Sequence, residues 1–430
     1  MYTEKIRIYP NESQRKLIGE YLSECTRLYD YLVKFGREQK ESTGYFPSEY
    51  DLNKQQVKFE SFLPRRVKSG ISRRISTGYT LFINFLKECK ELKSKGIKPS
   101  RKVKPPKLKN NHTTKSFTLS DVSKKIVSTN NQLFLNRQFG YIKAVFTRPI
   151  TGKVKTCTIK RLPSGKYYAF LSIKGESPKK MISCEKKSLV GIDPGIEKYV
   201  TMSDGNYVNR TKFFDGDIRY RLRRAQRKLS RMKKGSQHYK CQKLYIAKLH
   251  EKIADRRYDF QMKLAHYLVN HYDTIYLENL QSSFMMKKKR RKKKSGKMLT
   301  SMSFMASDAA HYQFKMILGW MANKYDSELI LVNPSYTSQM CSQCNLVVWK
   351  SLGDRIHSCP RCGLVIDRDL NAANNILIRG LMLGDDSLYG TVGTTGSRRI
   401  ITNIERFALS TIAKVMIYSK KPVEITVPGV

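Results

Sequence analysis

The chain has 430 residues, and 82 Lys and Arg stand against 35 Asp and Glu, for a formal net charge of +47. That length supports two to four domains and at least one sizeable core. The charge sets aside an ordinary cytosolic enzyme and points to a polyanionic partner, nucleic acid first; a membrane surface fits poorly, because no run of about 18 apolar residues occurs and the start MYTEKIRIYPNESQ has neither an apolar signal region nor transit-peptide character.

Taken in chain order, residues 3–9 alternate like a strand. Pro10-Asn11-Glu12 then starts a helical region with apolar Leu17, Ile18, Leu22, Leu28, Tyr31 and Leu32. A second helix is expected over Val67–Leu92, with Ile71, Ile75, Tyr79, Phe82 and Phe85 on one face. Its other face carries Arg65, Arg66, Lys68, Arg73 and Arg74, which reads as a phosphate-binding face or as a solvated one. Residues 94–109 form a Pro/Lys-rich connection. From 115 to 176 short strands alternate with turns, which suggests a barrel or sandwich; the first strand could close it, with the helices inserted between. Residues 177–187 read as a polar linker.

At 188 the texture changes. SLVGIDPGIEKYVTMSDGNYV reads as strand, tight turn and strand, and a long basic helical stretch covers roughly 216–270. DTIYLENL (273–280) is a buried strand. KKKRRKKK (287–294) is a run of eight cations that repel one another and stay extended without a counterion. A helix over 304–325 and a strand over 328–334 follow. Beyond about 383 the chain is Gly/Ser/Thr-rich and then mixed, and carries no recognisable chemistry.

Between these last elements and the tail lie two cysteine pairs, Cys341/Cys344 and Cys359/Cys362. Two C-x2-C turns at this spacing predict a ribbon in which four thiolates hold one structural Zn2+. The other five cysteines, Cys25, Cys89, Cys157, Cys184 and Cys241, show no framework pattern, in keeping with a reducing compartment. The ribbon runs straight into DRDLNAA (367–373), which opens a helix with a carboxylate at its N-terminus, where the dipole favours negative charge.

Three acids stand at the ends of elements with apolar interiors. Asp193 ends Leu189-Val190-Gly191-Ile192, Glu278 ends Ile275-Tyr276-Leu277, and Asp369 opens the helix after the ribbon. The edge of an α/β sheet is where such elements present ligands. Three carboxylates drawn together repel strongly unless cations neutralise them. Two Mg2+ ions suit such a set, being hard and able to hold phosphate oxygens during phosphodiester hydrolysis.

GIDPG (191–195), the basic stretch 221–244, LENL (277–280), NPSYTSQMCSQC (333–344) and above all CPRCGLVIDRDLNAANNI (359–376) resemble TnpB, the transposon-encoded RNA-guided DNA nucleases, and the related compact type V CRISPR effectors. RIYPNESQ (7–14), CTRLYDY (25–31) and residues 63–82 match more loosely. The resemblance implies an α/β multidomain chain. A β-barrel wedge domain (1–10 and 110–180) with an inserted helical recognition lobe (11–109) would precede a RuvC-like nuclease of RNase H fold (188–335 and 364–382). That nuclease would be interrupted by a target-nucleic-acid-binding zinc ribbon (336–363) and followed by a tail (383–430).

It further implies that Asp193, Glu278 and Asp369 are the three catalytic, Mg2+-holding acids, with Asp367 a neighbour and Asp308 either an assistant or a helix cap. Specificity would come from a guide RNA transcribed from the transposon end and paired to target double-stranded DNA beside a short flanking motif, by the logic of other RNA-guided nucleases. Contacts to that motif are expected on the 63–82 helix and around Asn110–Thr114. Lys287, Lys288, Lys289, Arg290 and Arg291 would belong to a phosphate-tracking loop, with a localisation-type basic run as the plainer reading. A monomer binding one RNA in the cytoplasm is expected. A compact CRISPR effector, a non-catalytic RNA-guided repressor and a DNA-strand transposase are the alternatives. The intact acid set weighs against the repressor, and the lack of an apparent HUH pair or tyrosine-nucleophile motif weighs against the transposase.

Overall fold

A computed structural model describes residues 1–96, 99, 102–109, 114–120, 127–128, 131–147, 150, 152–175, 187–209, 216–280, 309–351, 353–382 and 423–425. Asp308, Lys287 to Arg291, Asn110 to Thr113 and most of the tail lie outside them. The chain divides into two compact units, Met1–Pro178 and Lys179–Val430. Among the described residues no helix is long and apolar enough to cross a membrane.

The first unit is a seven-stranded antiparallel sheet with three helices. Its strands are β1 (Tyr2–Tyr9), β2 (Ser116–Leu119), β3 (Val127–Ser128), β4 (Gln132–Phe134), β5 (Tyr141–Val145), β6 (Lys153–Arg161) and β7 (Tyr167–Lys174), in the order β2-β6-β7-β1-β5-β4-β3. The first strand therefore joins the later ones as expected, but at the centre, between β7 and β5. Alternation decides which face is buried: Ile6 and Ile8 of β1 and Ala169, Leu171 and Ile173 of β7 turn into the core.

The helices α1 (Glu12–Thr43), α2 (Glu49–Val57) and α3 (Arg65–Ser94) fill the long connection between β1 and β2. Asn11 and Gln14 form a reciprocal capping box at the start of α1, and Gly44 ends it in the left-handed conformation. Ser48 and Asp51 repeat the capping box on α2. Leu28, Leu32, Ile71, Ile75 and Tyr79 give α1 and α3 a buried stripe continuous with the sheet core.

The second unit is a six-stranded mixed sheet, ordered β12-β11-β8-β9-β10-β15. Here β8 is Lys187–Asp193, β9 Lys198–Met202, β10 Asn206–Asn209, β11 Tyr272–Glu278, β12 Glu328–Val332 and β15 Val423–Glu424. β8, β9 and β10 are antiparallel, whereas β11 and β12 run parallel to β8. The basic stretch expected as one helix is two, α4 (Gly216–Ser230) and α5 (Gln237–His271). The break is chemical: Gly235 takes φ +89°, and Ser236 accepts from the Tyr239 amide as the cap of α5. α6 (His311–Lys324) packs against α5, and α7 (Arg368–Met382) packs against the sheet. The expected strand through 334 stops at Val332, just before Asn333-Pro334.

Candidate active site and metal centre

Parallel pairing brings two of the three expected acids together. Leu277 of β11 lies opposite Ile192 of β8, so Glu278 and Asp193 finish adjacent strands one step further on, with backbones roughly 5 Å apart.

The third acid arrives on α7. There is no room for a Cβ at Gly191 of β8, where the Ala373 carbonyl and the Leu377 backbone press in, or at Gly380 of α7, where the Tyr276 ring lies. These two glycines let the helix lie directly on the strands. Asp369 sits one turn before Ala373, at the β8 end that carries Asp193. Gly191→Ala should therefore force α7 off β8, at a cost of about 1–3 kcal/mol or more. The expected result is a lower melting temperature together with reduced activity of the carboxylate site; a variant that melts and acts like the parent would show that the helix can shift freely.

The electrostatics report the convergence. Asp193 is held well above the usual carboxylate range, first by desolvation, then by the charges of Glu278, Asp369 and Asp367, with Arg368 opposing. Glu278 is also raised by desolvation. Against this act Thr337, whose hydroxyl donates to Glu278 Oε1 at 3.0 Å, the charge of Arg379, and a hydrogen bond from Asp193. Two neighbouring carboxyls that resist ionising together are a site short of positive charge. Hard divalent cations would supply it, and carboxylate oxygens are the ligands Mg2+ takes, but among the described residues only the four cysteines below lie close enough together to hold an ion as they stand.

Asp367 has a different task. Its Oδ1 accepts the amides of Asp369 at 2.9 Å and Leu370 at 3.1 Å, and its Oδ2 accepts from Lys198 Nζ at 2.9 Å. It caps α7 and ties the helix to β9. Asp369 Oδ1 instead accepts Nε and Nη2 of Arg368, each at 3.2 Å.

The four expected thiols also meet. The sulfurs of Cys341, Cys344, Cys359 and Cys362 all lie within 4.8 Å of one another, with Cys341–Cys362 at 3.6 Å and Cys344–Cys359 at 3.5 Å. A tetrahedral zinc with Zn–S bonds of about 2.3 Å needs S···S edges near 3.8 Å, so the cluster fits this ion. The two turns share one design. The Cys341 carbonyl accepts the Asn345 amide, the Cys359 carbonyl accepts the Gly363 amide, and both Asn345 and Gly363 have positive φ. A short hairpin, β13 (Ile356–Ser358) and β14 (Val365–Asp367), carries the second turn and leads into α7.

The ribbon is fastened to α7 by buried asparagines. Asn371 Nδ2 donates to the Met340 carbonyl and its Oδ1 accepts the Ser342 amide, while Asn375 Nδ2 donates to the Thr337 and Met340 carbonyls. Arg379 donates to the carbonyls of Asn333 and Ser335. Sequence reasoning did not single out Thr337, Lys198, Arg379 or Asn375. Thr337 and Asn375 sit inside the motif segments, but hydropathy spacing does not mark a hydroxyl or an amide as a brace.

Among the expected phosphate contacts, Arg65, Arg66, Arg73 and Arg74 are exposed on α3. Arg73 pairs with Glu49 at 3.0 Å. Arg74 faces Lys109, whose pKa is lowered first by desolvation and then by Arg74. Lys287 to Arg291 lie outside the described residues.

The family described as "Probable transposase" (OrfB_IS605) matches residues 173–289, and "Cas12f1-like, TNB domain" matches residues 311–376. A Streptomyces pristinaespiralis protein named "Putative RNA-guided DNA endonuclease" is 29% identical over 388 residues, covering 88% of this chain and 89% of that one. "TnpB-like protein L79" of Acanthamoeba polyphaga mimivirus is 26% identical over 418 residues, 88% of this chain and 73% of the other. Among solved structures, a Cas12f1 protein, determined in complex with sgRNA and target DNA, shares the fold, with a TM-score of 0.50 at 16% identity over 85% of this chain and 83% of that one.

Proposed function

We propose, from the premise that this chain belongs to the TnpB family, that it is the RNA-guided DNA endonuclease of a transposon, cutting double-stranded DNA beside a short flanking motif at a single RuvC-type site. The observation that carries this reading is that β8 and β11 end side by side in Asp193 and Glu278, with Asp369 of α7 near enough for its charge to oppose ionisation of Asp193. The strand order supports it: β8, β9 and β10 antiparallel, β11 and β12 parallel to β8, and acids at the ends of the neighbouring strands β8 and β11 suit an RNase H-type nuclease, with β15 added at the far edge. On this reading Met1–Pro178 holds the wedge domain with its helical lobe, and the ribbon is an insertion in the nuclease.

Asp193, Glu278 and Asp369 would hold two Mg2+ ions, which supply an activated water and stabilise the leaving 3′ oxygen. The remaining work belongs to the chain. Glu278 is buried and Asp193 half-buried, which limits bulk water and strengthens charge interactions at the site. Asp367 and Lys198 fix the first turn of α7, so Asp369 is presented in one orientation. Arg368, beside Asp369, offsets part of the carboxylate repulsion. Arg65, Arg66, Arg73 and Arg74 contact nucleic-acid phosphates, as do Lys287, Lys288, Lys289, Arg290 and Arg291. The net charge of +47 suits a folded guide and its heteroduplex, since each neutralised phosphate releases counterions. A monomer with one guide RNA, acting in the cytoplasm, completes the reading.

The test is retargeting. The chain, purified with its co-expressed RNA, should cleave DNA matching the variable end of that RNA, and changing only that end should move cleavage to the new match. Cleavage that stays at the old site, or proceeds equally without RNA, would leave an ordinary basic nuclease.

A further inference from the structure

The two strand-end carboxyls are not held alike. Glu278, the more buried of the two, accepts a hydrogen bond from a side chain outside the acid set. That side chain is Thr337, in the turn between β12 and the first cysteine pair, and it is 1% exposed. Its hydroxyl has one proton and two acceptors within reach, Glu278 Oε1 at 3.0 Å and the Pro334 carbonyl at 3.2 Å. A hydrogen bond to an ionised carboxylate is roughly twice as strong as one to a neutral carbonyl. The shorter of the two contacts is to Glu278, so the hydroxyl engages Oε1 and leaves Oε2 the open oxygen.

Thr337 is itself held in place. Its carbonyl accepts Asn375 Nδ2 at 2.9 Å, and the same amide reaches the Met340 carbonyl at 2.7 Å, where Asn371 Nδ2 also donates. Asn371 and Asn375 are buried on α7, the helix that opens with Asp369. A polar network satisfied at both ends is rigid, because any displacement strands a buried donor or acceptor. Met340 directly precedes Cys341, so the thiolate cluster anchors the same turn.

We propose that Thr337 is a positioning residue for Glu278, bracing it against the helix that carries Asp369 and so setting the spacing of the cation-binding oxygens. The inference rests on the nuclease reading above. The fastening would make the ribbon neck part of the active-site frame. Removing a group that orients a ligand typically lowers metal affinity about 10–100-fold.

The experiment uses the full guide-loaded chain and two substitutions. Thr337→Val keeps the shape and removes the hydroxyl, and Thr337→Ser restores it. Mn2+ binding is followed by electron paramagnetic resonance, and the Mg2+ dependence of cleavage is followed in parallel. Thr337→Val should bind Mn2+ about tenfold more weakly and need correspondingly more Mg2+, with zinc content and guided DNA binding unchanged. Thr337→Ser should stay within about twofold of the parent on the same scale. Parent-like Mn2+ binding by Thr337→Val would overturn the assignment alone. Equal loss in both variants, or zinc loss in Thr337→Val, would also overturn it, by showing a packing role. A parent chain that neither binds Mn2+ nor cuts DNA would overturn the nuclease reading itself.

Discussion

Asp193→Ala should abolish DNA cleavage, by about 10³-fold or more, while guided DNA binding persists, because removing one member of a catalytic set costs nearly as much as removing all of it. Asp193 lies at the centre of the acid cluster: its ionisation is opposed by Glu278, Asp369 and Asp367 together. Glu278→Ala and Asp369→Ala should behave in the same way. Deleting the Asp193 carboxyl should also raise the melting temperature of metal-free protein. The sign follows from the pKa. A carboxyl whose folded pKa is raised favours folding only while it is protonated, and opposes folding once pH exceeds its ordinary range. At neutral pH its removal relieves strain. The contrast with Asp367 is sharp. Asparagine caps helices about as well as aspartate, so Asp367→Asn loses the Lys198 ion pair but keeps the first turn of α7. It should retain far more cleavage than Asp369→Asn. Single-turnover cleavage, with binding measured on the same preparations, checks the series, and the reverse ranking would move the third metal-holding acid to Asp367.

Cys359→Ser should release zinc and melt the ribbon. Freshly purified parent should carry about one zinc per chain. Structural zinc sites bind with apparent free energies on the order of 10–16 kcal/mol. Besides the thiolates, the described residues of this segment are held by the short β13–β14 hairpin, the asparagine contacts to α7 and exposed ties such as Arg355 to Glu197. The ribbon leads without a break from β14 into Arg368, so its loss should loosen the first turn of α7 and take cleavage with it. Metal analysis by mass spectrometry, thermal melting and cleavage should fall together. A zinc-free parent that cuts normally would end this account.

Much of the site was legible in the sequence because its parts are local. An apolar strand ending in an acid, a C-x2-C pair and a polar cluster opening a helix each declare themselves within a few residues. What brought Asp193, Glu278 and Asp369 to one place was long-range, namely parallel register between β8 and β11 and the seating of α7 on Gly191. The sequence pattern shows a glycine there but not what approaches it. α2 went unseen for another reason. Only Leu52 and Gln56 of its nine residues are buried, so it has no apolar stripe to read. The division between α4 and α5 was passed over because basic residues and helical spacing continue on both sides of Gly235-Ser236. Thr337 and Asn375 were missed because buried hydrogen bonds leave no periodic trace.

The seating of α7 on β8 also bears on how the chain emerges from the ribosome. Lys198, just after β8, waits for an Asp367 that lies 169 residues downstream. Until that stretch has been synthesised, the close-approach face at Gly191 has no helix to cover it and the strand-end acids have no third partner. Contacts of such wide sequence separation form late and slowly, and translation proceeds at about 5–20 residues per second. Assembly of the acid set is therefore delayed by many seconds after β8 has left the exit tunnel. Unfinished chains released before α7 are complete would be basic, strongly retained by nucleic acid and unable to cut it.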